Sequence, residues 1–274
     1  MRPVSVLLAT ALVLAAAGRS LAQQPELPPE WFPNRAPSRD AQAVSFCEDP
    51  RDPAHEVDRA IAEAVTATLL VEPRIHVVER QVRVEQEFEG LYIDLIDHCS
   101  VYLGFKLYAD TYPEWLTLTR PYYEGRFVVV ASDPSWSSLE DVPRDVRIGA
   151  VQGTMGDIRF ITLNNSRPAA DRWPRAPVGR AEEAFDALLS GVVGALIVWE
   201  PTWWAMSRER PELAALTVLE TPAISEPWIG VGGITLADRE FVRSQVDEAI
   251  AALTEDGTIA AILEQYGFPG RPVP

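Results

Sequence analysis

The chain has 274 residues, of which 47% are hydrophobic, and its formal net charge is −16 because 40 acidic residues outnumber 24 basic ones. A chain of this length can bury one large core or two smaller ones, and its hydrophobic content argues against disorder. The acidic balance argues against nucleic-acid binding, which depends on Lys and Arg contacts to phosphate. It is compatible with plain solubility, or with attraction to a basic partner or a cationic ligand.

The N-terminus has the pattern of a secretory signal peptide. Arg2 supplies a positive charge, Val4 to Ala17 is almost continuously apolar, and Ser20 and Ala22 are small residues at the positions that a signal peptidase reads. This pattern predicts cleavage after Ala22 and an exported product without a membrane anchor. Residues 23–42 are rich in proline and polar residues, which predicts an extended arm.

The first part of the folded body alternates strands and helices. Asp52 and Pro53 have the residue types of an N-cap and a first helical position, and the apolar residues that follow recur every four positions. The predicted elements are a strand at 43–47, a helix from Asp52 to Glu72, a strand at 74–80, a helix at 88–99 and a strand at 101–107. A β-α-β-α-β order predicts a parallel sheet flanked by helices.

Two cysteines, Cys47 and Cys99, lie at the end of the first of these strands and at the start of the third. The export signal favours a disulfide between them, and two buried free thiols are the alternative. With no other cysteine in the chain, a metal site built on thiolates is not expected.

The second part of the chain has the same alternation. The predicted elements are a strand at 147–151 that turns at Gly153–Asp157 into a helix, a helix at 182–190, a strand at 192–199, a helix opened by Pro201, a strand at 228–235, and two final helices around 242–253 and 259–266. Gly191 and Gly257 are placed to end helices. The whole chain is therefore expected to form two α/β lobes.

Conventional catalytic motifs are missing from the sequence, including the hydrolase elbow, the phosphate-binding loop and the zinc-protease helix. The three histidines, His55, His76 and His98, show no ligand spacing, so we interpret them as ordinary surface or core residues. We predict no enzyme, no cofactor and no metal.

Several segments, in order, resemble the family 3 extracellular solute-binding proteins, which serve ABC importers. They are Thr119–Tyr123 followed by Phe127–Val130, Ser138–Asp141, Arg147–Thr154, Ala184–Gly191, and Leu253–Gly257 followed by Gln265–Gly267. The resemblance implies a two-lobed α/β fold of the periplasmic binding protein type 2 class, located in the periplasm. It implies one lobe at 43–129 plus 228–268, the other at 130–227, and a ligand between them.

A narrower group, the binding proteins associated with quinoprotein dehydrogenases, resembles the chain at Cys47–Pro50, His98–Val101, Thr119–Tyr123 and Val198–Pro201. Ser100 and Glu200 depart from the Asp and Gly of that group. This resemblance implies a partner, a periplasmic PQQ-dependent dehydrogenase of the methanol-oxidising type.

Amino-acid receptors of the family carry an arginine clamp for the ligand carboxylate several residues before the Pro-Tyr pair. Here the stretch 110–118 contains no arginine, and only Arg120 is near. The receptors' Asp for the ligand ammonium is replaced by Gly194 or, slightly later, by Glu200. These departures weaken amino-acid import as the specific function.

The candidate ligand-binding residues stand near strand ends and interlobe segments. Backbone N–H groups at Gly153 and Thr154 could hold an anion or simply form a strand-to-helix turn. Glu200 could bind a cation or serve as the first acid of the next helix. The aromatics nearest these sites could wall an apolar ligand or form a partner's contact patch: Trp115, Tyr122, Trp199, Trp203 and Trp204. At helical spacing, Trp203 or Trp204 could instead belong to the core. The predicted cleft residues are Trp115, Arg120, Tyr122, Gly153, Thr154 and Glu200.

Three functions are compatible with these observations. The first is an accessory protein of a quinoprotein dehydrogenase, and the second is the solute-binding component of an ABC importer that docks on its permease. The third is an enzyme on a binding-protein fold, for which Glu200 is the one candidate acid. We expect the first, with the second as its alternative.

Overall fold

The computed structural model describes residues 42–79, 87–108 and 112–273. The predicted signal peptide and almost all of the predicted arm lie outside these residues. Within the described part of the chain, no helix is both long and apolar enough to cross a lipid bilayer.

Twelve strands and eight helices make up the described chain. The strands are β1 (Ala43–Glu48), β2 (Glu72–Val77), β3 (Val101–Lys106), β4 (Leu116–Leu118), β5 (Tyr123–Gly125), β6 (Phe127–Ala131), β7 (Ile148–Val151), β8 (Arg175–Val178), β9 (Ala195–Trp199), β10 (Thr217–Leu219), β11 (Ile229–Leu236) and β12 (Arg271–Pro272). The helices are α1 (His55–Leu69), α2 (Glu87–Asp97), α3 (Met155–Asn165), α4 (Ala181–Leu189), α5 (Glu200–Glu209), α6 (Pro222–Ser225), α7 (Glu240–Glu255) and α8 (Thr258–Tyr266).

The first sheet has seven strands, and its main path runs β12-β5-β11-β3-β1-β2, with β4 also paired to β11. Strands β2, β1 and β3 are parallel neighbours. This confirms the parallel arrangement predicted from the β-α-β-α-β order. Strand β11 runs antiparallel to β3, β4 and β5.

The second sheet has five strands in the order β10-β6-β9-β7-β8. Strand β7 is parallel to β8 and β9, whereas β6 runs antiparallel to β9. The chain enters this sheet after Gly125 and returns to the first sheet at Ile229. We call the first sheet with α1, α2, α7 and α8 the first lobe, and the second sheet with α3 to α6 the second lobe.

Apolar spacing explains why α1 forms and which way it faces. Val57, Ile61 and Val65 are each no more than 2% exposed, so the four-residue repeat is the buried face of the helix. The predicted start of this helix is wrong. Asp52 is not the N-cap, because its carboxylate accepts a hydrogen bond from the Ala54 N–H in a turn, and the helix begins at His55.

Two predicted strands have different bounds in the structure. The strand predicted at 74–80 is β2, which starts at Glu72 and ends at Val77. The strand predicted at 192–199 is β9, which begins only at Ala195. The first residues of the predicted strand belong to the end of α4 instead. The N–H groups of Val192 and Val193 both donate to the carbonyl of Ala187 and so terminate that helix.

Candidate binding site at the strand ends of the two lobes

The carboxyl ends of parallel strands in the two lobes meet around Lys106 and Trp199. Lys106 ends β3 and Trp199 ends β9, and the Lys106 Nζ lies 4.8 Å from the centroid of the Trp199 ring. The same indole covers Gly125 of β5, where an added Cβ would lie only 2.6 Å from it. Ligands of open α/β sheets bind outside the carboxyl ends of the strands, so this is the candidate site.

Two carboxylates converge beside this contact on the first lobe. An added Cβ on Gly104 would lie 3.1 Å from Asp58 Oδ2 and 3.2 Å from Asp52 Oδ2. Gly104 has φ of +83°, a backbone conformation that favours glycine. A glycine in the middle of β3 therefore leaves room for a pair of acids, one from the loop after β1 and one from α1.

Burial controls the protonation of this acid pair. Asp58 is only 1% exposed, and loss of solvent raises its pKa well above 3.8, with the neighbouring charge of Asp52 adding to the shift. Burial also raises the pKa of Asp52, and the Lys106 ammonium opposes that shift. Oδ1 of Asp58 has no hydrogen-bond partner among the described residues.

Tyr122 supports the acid pair from inside the first lobe. Its hydroxyl accepts a hydrogen bond of 2.9 Å from the Gly104 N–H and hydrogen-bonds the Asp58 side chain. Because the side chain is only 2% exposed, it reaches a ligand chiefly through Asp58. Burial raises the pKa of Tyr122 well above 10.0, so its hydroxyl keeps its proton as a hydrogen-bond donor.

The turn before α3 places Gly153 and Thr154 at the end of β7. The Gly153 N–H donates to Asp157 Oδ2 at 3.0 Å, and Thr154 is the N-cap whose hydroxyl accepts from the Asp157 N–H. Asp157 is buried and forms two hydrogen bonds of 2.6 Å with Arg175. An internal carboxylate thus already uses the Gly153 N–H, and anion binding at this turn stays a prediction.

Glu200 lies at the crossing between the lobes. It is the first residue of α5, and it makes a two-pronged ion pair with Arg126 in which Nε–Oε2 is 2.6 Å and Nη2–Oε1 is 3.0 Å. This hydrogen-bonded pairing raises the pKa of Arg126. Glu200 therefore pairs with a cationic side chain, that of Arg126, and is also the first acid of α5. Each of the two predicted roles, cation binding and a helix-opening acid, is seen in part.

Trp115 and Arg120 stand apart from the strand-end contact. Trp115 packs edge-on against Tyr92 of α2, and its neighbour Leu116 pairs with Leu236, at the end of β11 beside the start of β3. Trp115 therefore lies at the end of the sheet where β3 begins, whereas Lys106 lies where β3 ends. The side chain of Arg120 is exposed, and its backbone N–H donates to Asp247 of α7. Their roles in ligand binding stay predictions.

The aromatic pair in α5 is half-buried and packs inside the molecule. Trp203 donates from Nε1 to the carbonyl of Leu213, and Trp204 lies edge-on to Phe268 at 5.1 Å. These contacts favour the core alternative over an exposed contact patch.

Sequence reasoning missed Asp58, Lys106 and Arg126. Asp58 had a readable signal, since it lies three and seven positions before Ile61 and Val65 on the apolar face of α1. An acid on such a face must find partners or lose its charge. Lys106 and Arg126 gave no comparable signal, because their partners lie 93 and 74 positions further along the chain.

No protein-family model matches the sequence, and no curated protein sequence matches it. Solved structures do match. The substrate-binding protein of an amino acid ABC transporter aligns with a TM-score of 0.57 at 17% identity, over 82% of this chain and 98% of its own. Substrate-binding domain 2 of Lactococcus lactis GlnP aligns with a TM-score of 0.59 at 15% identity, over 82% and 95%.

A third structure, Tv2483 bound to L-arginine, aligns with a TM-score of 0.58 at 14% identity, over 82% of this chain and 90% of its own. These identities are low, so the likeness concerns the fold. The alternation of strands and helices, the two crossings between the sheets and these alignments lead to one conclusion. The chain has the two-lobed α/β fold of the periplasmic binding proteins.

Proposed function

We propose that the chain is a non-catalytic solute-binding protein that captures a small organic cation between its lobes and delivers it to an ABC importer. The observation that carries the proposal is the cluster of Asp52, Asp58 and Trp199, at which the ammonium of Lys106 already lies over an aromatic ring. A carboxylate and an indole face bind an ammonium or quaternary amine. Asp52 supplies the carboxylate and Trp199 the indole, while Asp58, whose pKa is raised by burial, supplies an acceptor oxygen.

Among the described residues around the cluster, the lack of a free cationic group for a ligand carboxylate favours a simple cation over an amino acid. The sequence has no arginine clamp where amino-acid receptors carry one, and Asp157 and Arg175 neutralise each other at the turn of the second lobe. Displacing Lys106 from Trp199 by a ligand ammonium keeps the cation–π contact while freeing the lysine to solvent. The predicted signal peptide supports delivery from the periplasm.

The test is thermal unfolding and calorimetry of the exported protein with four matched groups of compounds: amines and quaternary amines, neutral amino acids, arginine and lysine, and dicarboxylates. A ligand at 100 times its Kd stabilises the folded state by about 2.7 kcal/mol, a rise in Tm of about 5–11 °C for a chain of this size. We expect this rise with the amines and quaternary amines, which lack the carboxylate that an arginine clamp would hold.

Two variants locate the binding. Asp52→Asn removes one carboxylate of the cluster and should abolish the shift in Tm. Asp49→Asn changes a residue of the same loop that pairs with Arg51 at the surface, and it should leave the shift intact. A panel without any response, or a response to dicarboxylates alone, would contradict the proposal.

The dehydrogenase accessory role predicted from sequence has no support in the matching structures named above. It depends on short motifs such as Thr119–Tyr123, which the structure uses to hold β5 and the acid pair. We therefore favour the importer component over the dehydrogenase partner.

A further inference from the structure

Two of the three histidines meet a buried acid on the outer side of the first sheet. His76 in β2, Asp94 in α2 and His98 just after α2 bring one ligand atom each within 4.8 Å of one another. The imidazole rings of His76 and His98 stack with centroids 4.1 Å apart and planes inclined by only 10°. The three residues line one open pocket of about 510 Å³.

Strand register, chain adjacency and the disulfide bring the two histidines together. Cys47 of β1 pairs in register with His76 of β2, so both side chains point to the same face of the sheet. His98 adjoins Cys99, and the Cys47–Cys99 disulfide holds the two cysteine Cα atoms 5.4 Å apart. The disulfide therefore fixes the two histidines as neighbours.

The end of α2 places the acid. Asp94 and His98 are four positions apart, one helical turn, and the Asp94 carbonyl accepts the N–H groups of His98 and Cys99 at 2.9 and 3.0 Å. Asp94 is 3% exposed, whereas His98 is exposed and His76 is half-buried. One ligand is thus held inside the protein and two face the pocket.

We propose that His76, Asp94 and His98 bind one first-row divalent metal ion of the Zn²⁺, Cu²⁺ or Ni²⁺ kind. Two imidazoles and one carboxylate are the ligand types of such ions, whereas Ca²⁺ and Mg²⁺ take oxygen ligands. Bonds of about 2.0–2.1 Å place tetrahedral ligand atoms about 3.3 Å apart. Rotations of the two accessible histidine side chains close the remaining gap.

The open pocket leaves further coordination positions to water or to an external ligand. The site is separate from the acid pair at Gly104, since Asp58 lies on α1, against the face of β1 that carries Phe46, and Cys47 points to the opposite face. A solute-binding role and a metal site can therefore be tested independently of each other.

The test is calorimetric titration of untagged protein, purified after expression of the full chain, with Zn²⁺, and with Mg²⁺ and Ca²⁺ as controls. We expect one Zn²⁺ per chain and no comparable binding of Mg²⁺ or Ca²⁺. A Co²⁺ titration should give the intense visible absorption of a four- or five-coordinate site. His76→Ala and His98→Ala should each weaken Zn²⁺ binding at least about tenfold, as should Asp94→Asn.

His55→Ala is the matched control. His55, the remaining histidine, lies on α1 and contacts Glu48 of β1 at 3.0 Å, and its loss should leave Zn²⁺ binding unchanged. Circular dichroism and Tm without metal check that each variant is folded. If another variant does not fold, His98→Ala still decides the test, because His98 is exposed. The absence of stoichiometric binding, or equal affinity in His98→Ala and wild type, overturns the proposal.

Discussion

At the scale of single residues, Gly104 is the position at which β3 makes room for two carboxylates. Alanine there would combine a positive φ with contacts of 3.1 and 3.2 Å to carboxylate oxygens. We expect Gly104→Ala to lower the free energy of unfolding by about 2–4 kcal/mol, the sum of a backbone and a crowding cost. Urea unfolding measures the change.

Gly153→Ala separates the two costs. Gly153 also has positive φ, +79°, but no atom lies within 4 Å of an added Cβ. Its substitution should lower the free energy of unfolding by only about 1–2 kcal/mol. If both variants lose the same free energy of unfolding, the two carboxylates near Gly104 move aside at no energetic cost, and the crowding contribution is refuted.

The buried carboxyl of Asp58 predicts a pH dependence of stability. Its pKa in the folded chain is raised well above 3.8, so the folded state keeps a proton that the unfolded chain releases. The resulting stabilisation is fully present below about pH 4 and is lost as pH rises through the folded pKa. Asp58→Asn removes this titration.

The measurement is urea unfolding of wild type and Asp58→Asn between about pH 4 and pH 8. Wild type should lose stability relative to the variant as pH rises. Asp171→Asn, at an exposed position, controls for the loss of one acidic residue. A difference between wild type and Asp58→Asn that stays constant over this range would contradict the buried, protonated carboxyl.

At the scale of elements, the disulfide joins β1 to the end of α2 across 52 positions. Its closed loop restricts the unfolded chain, so the double variant Cys47→Ala/Cys99→Ala should lose about 2–4 kcal/mol of unfolding free energy. Urea unfolding with and without reductant checks this: reductant should destabilise wild type and leave the double variant unchanged. A wild type insensitive to reductant after complete reduction would refute it.

The elements also show what local sequence determines. The face of α1 follows from Val57, Ile61 and Val65, and the break between α7 and α8 follows from Gly257, because both depend on neighbours a few residues away. The predicted start of α1 is wrong, because the Asp52 carboxylate accepts a hydrogen bond from the Ala54 N–H instead of capping the helix. Helix ends depend on single hydrogen bonds, which residue types only suggest.

At the scale of the whole molecule, the two lobes and the parallel strands were predictable, whereas the candidate site mostly was not. Lys106 and Trp199 belong to different lobes, and their contact exists only after the chain has crossed from the first sheet to the second. His76 and His98 had no ligand spacing in the sequence, because the disulfide and the strand register bring them together. Such clusters arise from topology, which periodicity does not encode.

Strand β11 has a consequence for the order in which a nascent chain becomes structured. It lies between β3 and β5 in the first sheet, although the chain reaches it only at Ile229. A ribosome that has translated as far as Leu219 has already supplied all five strands of the second sheet, β6 to β10. Domains usually fold N-terminal part first during synthesis, but here the lobe that begins the chain is the one completed last.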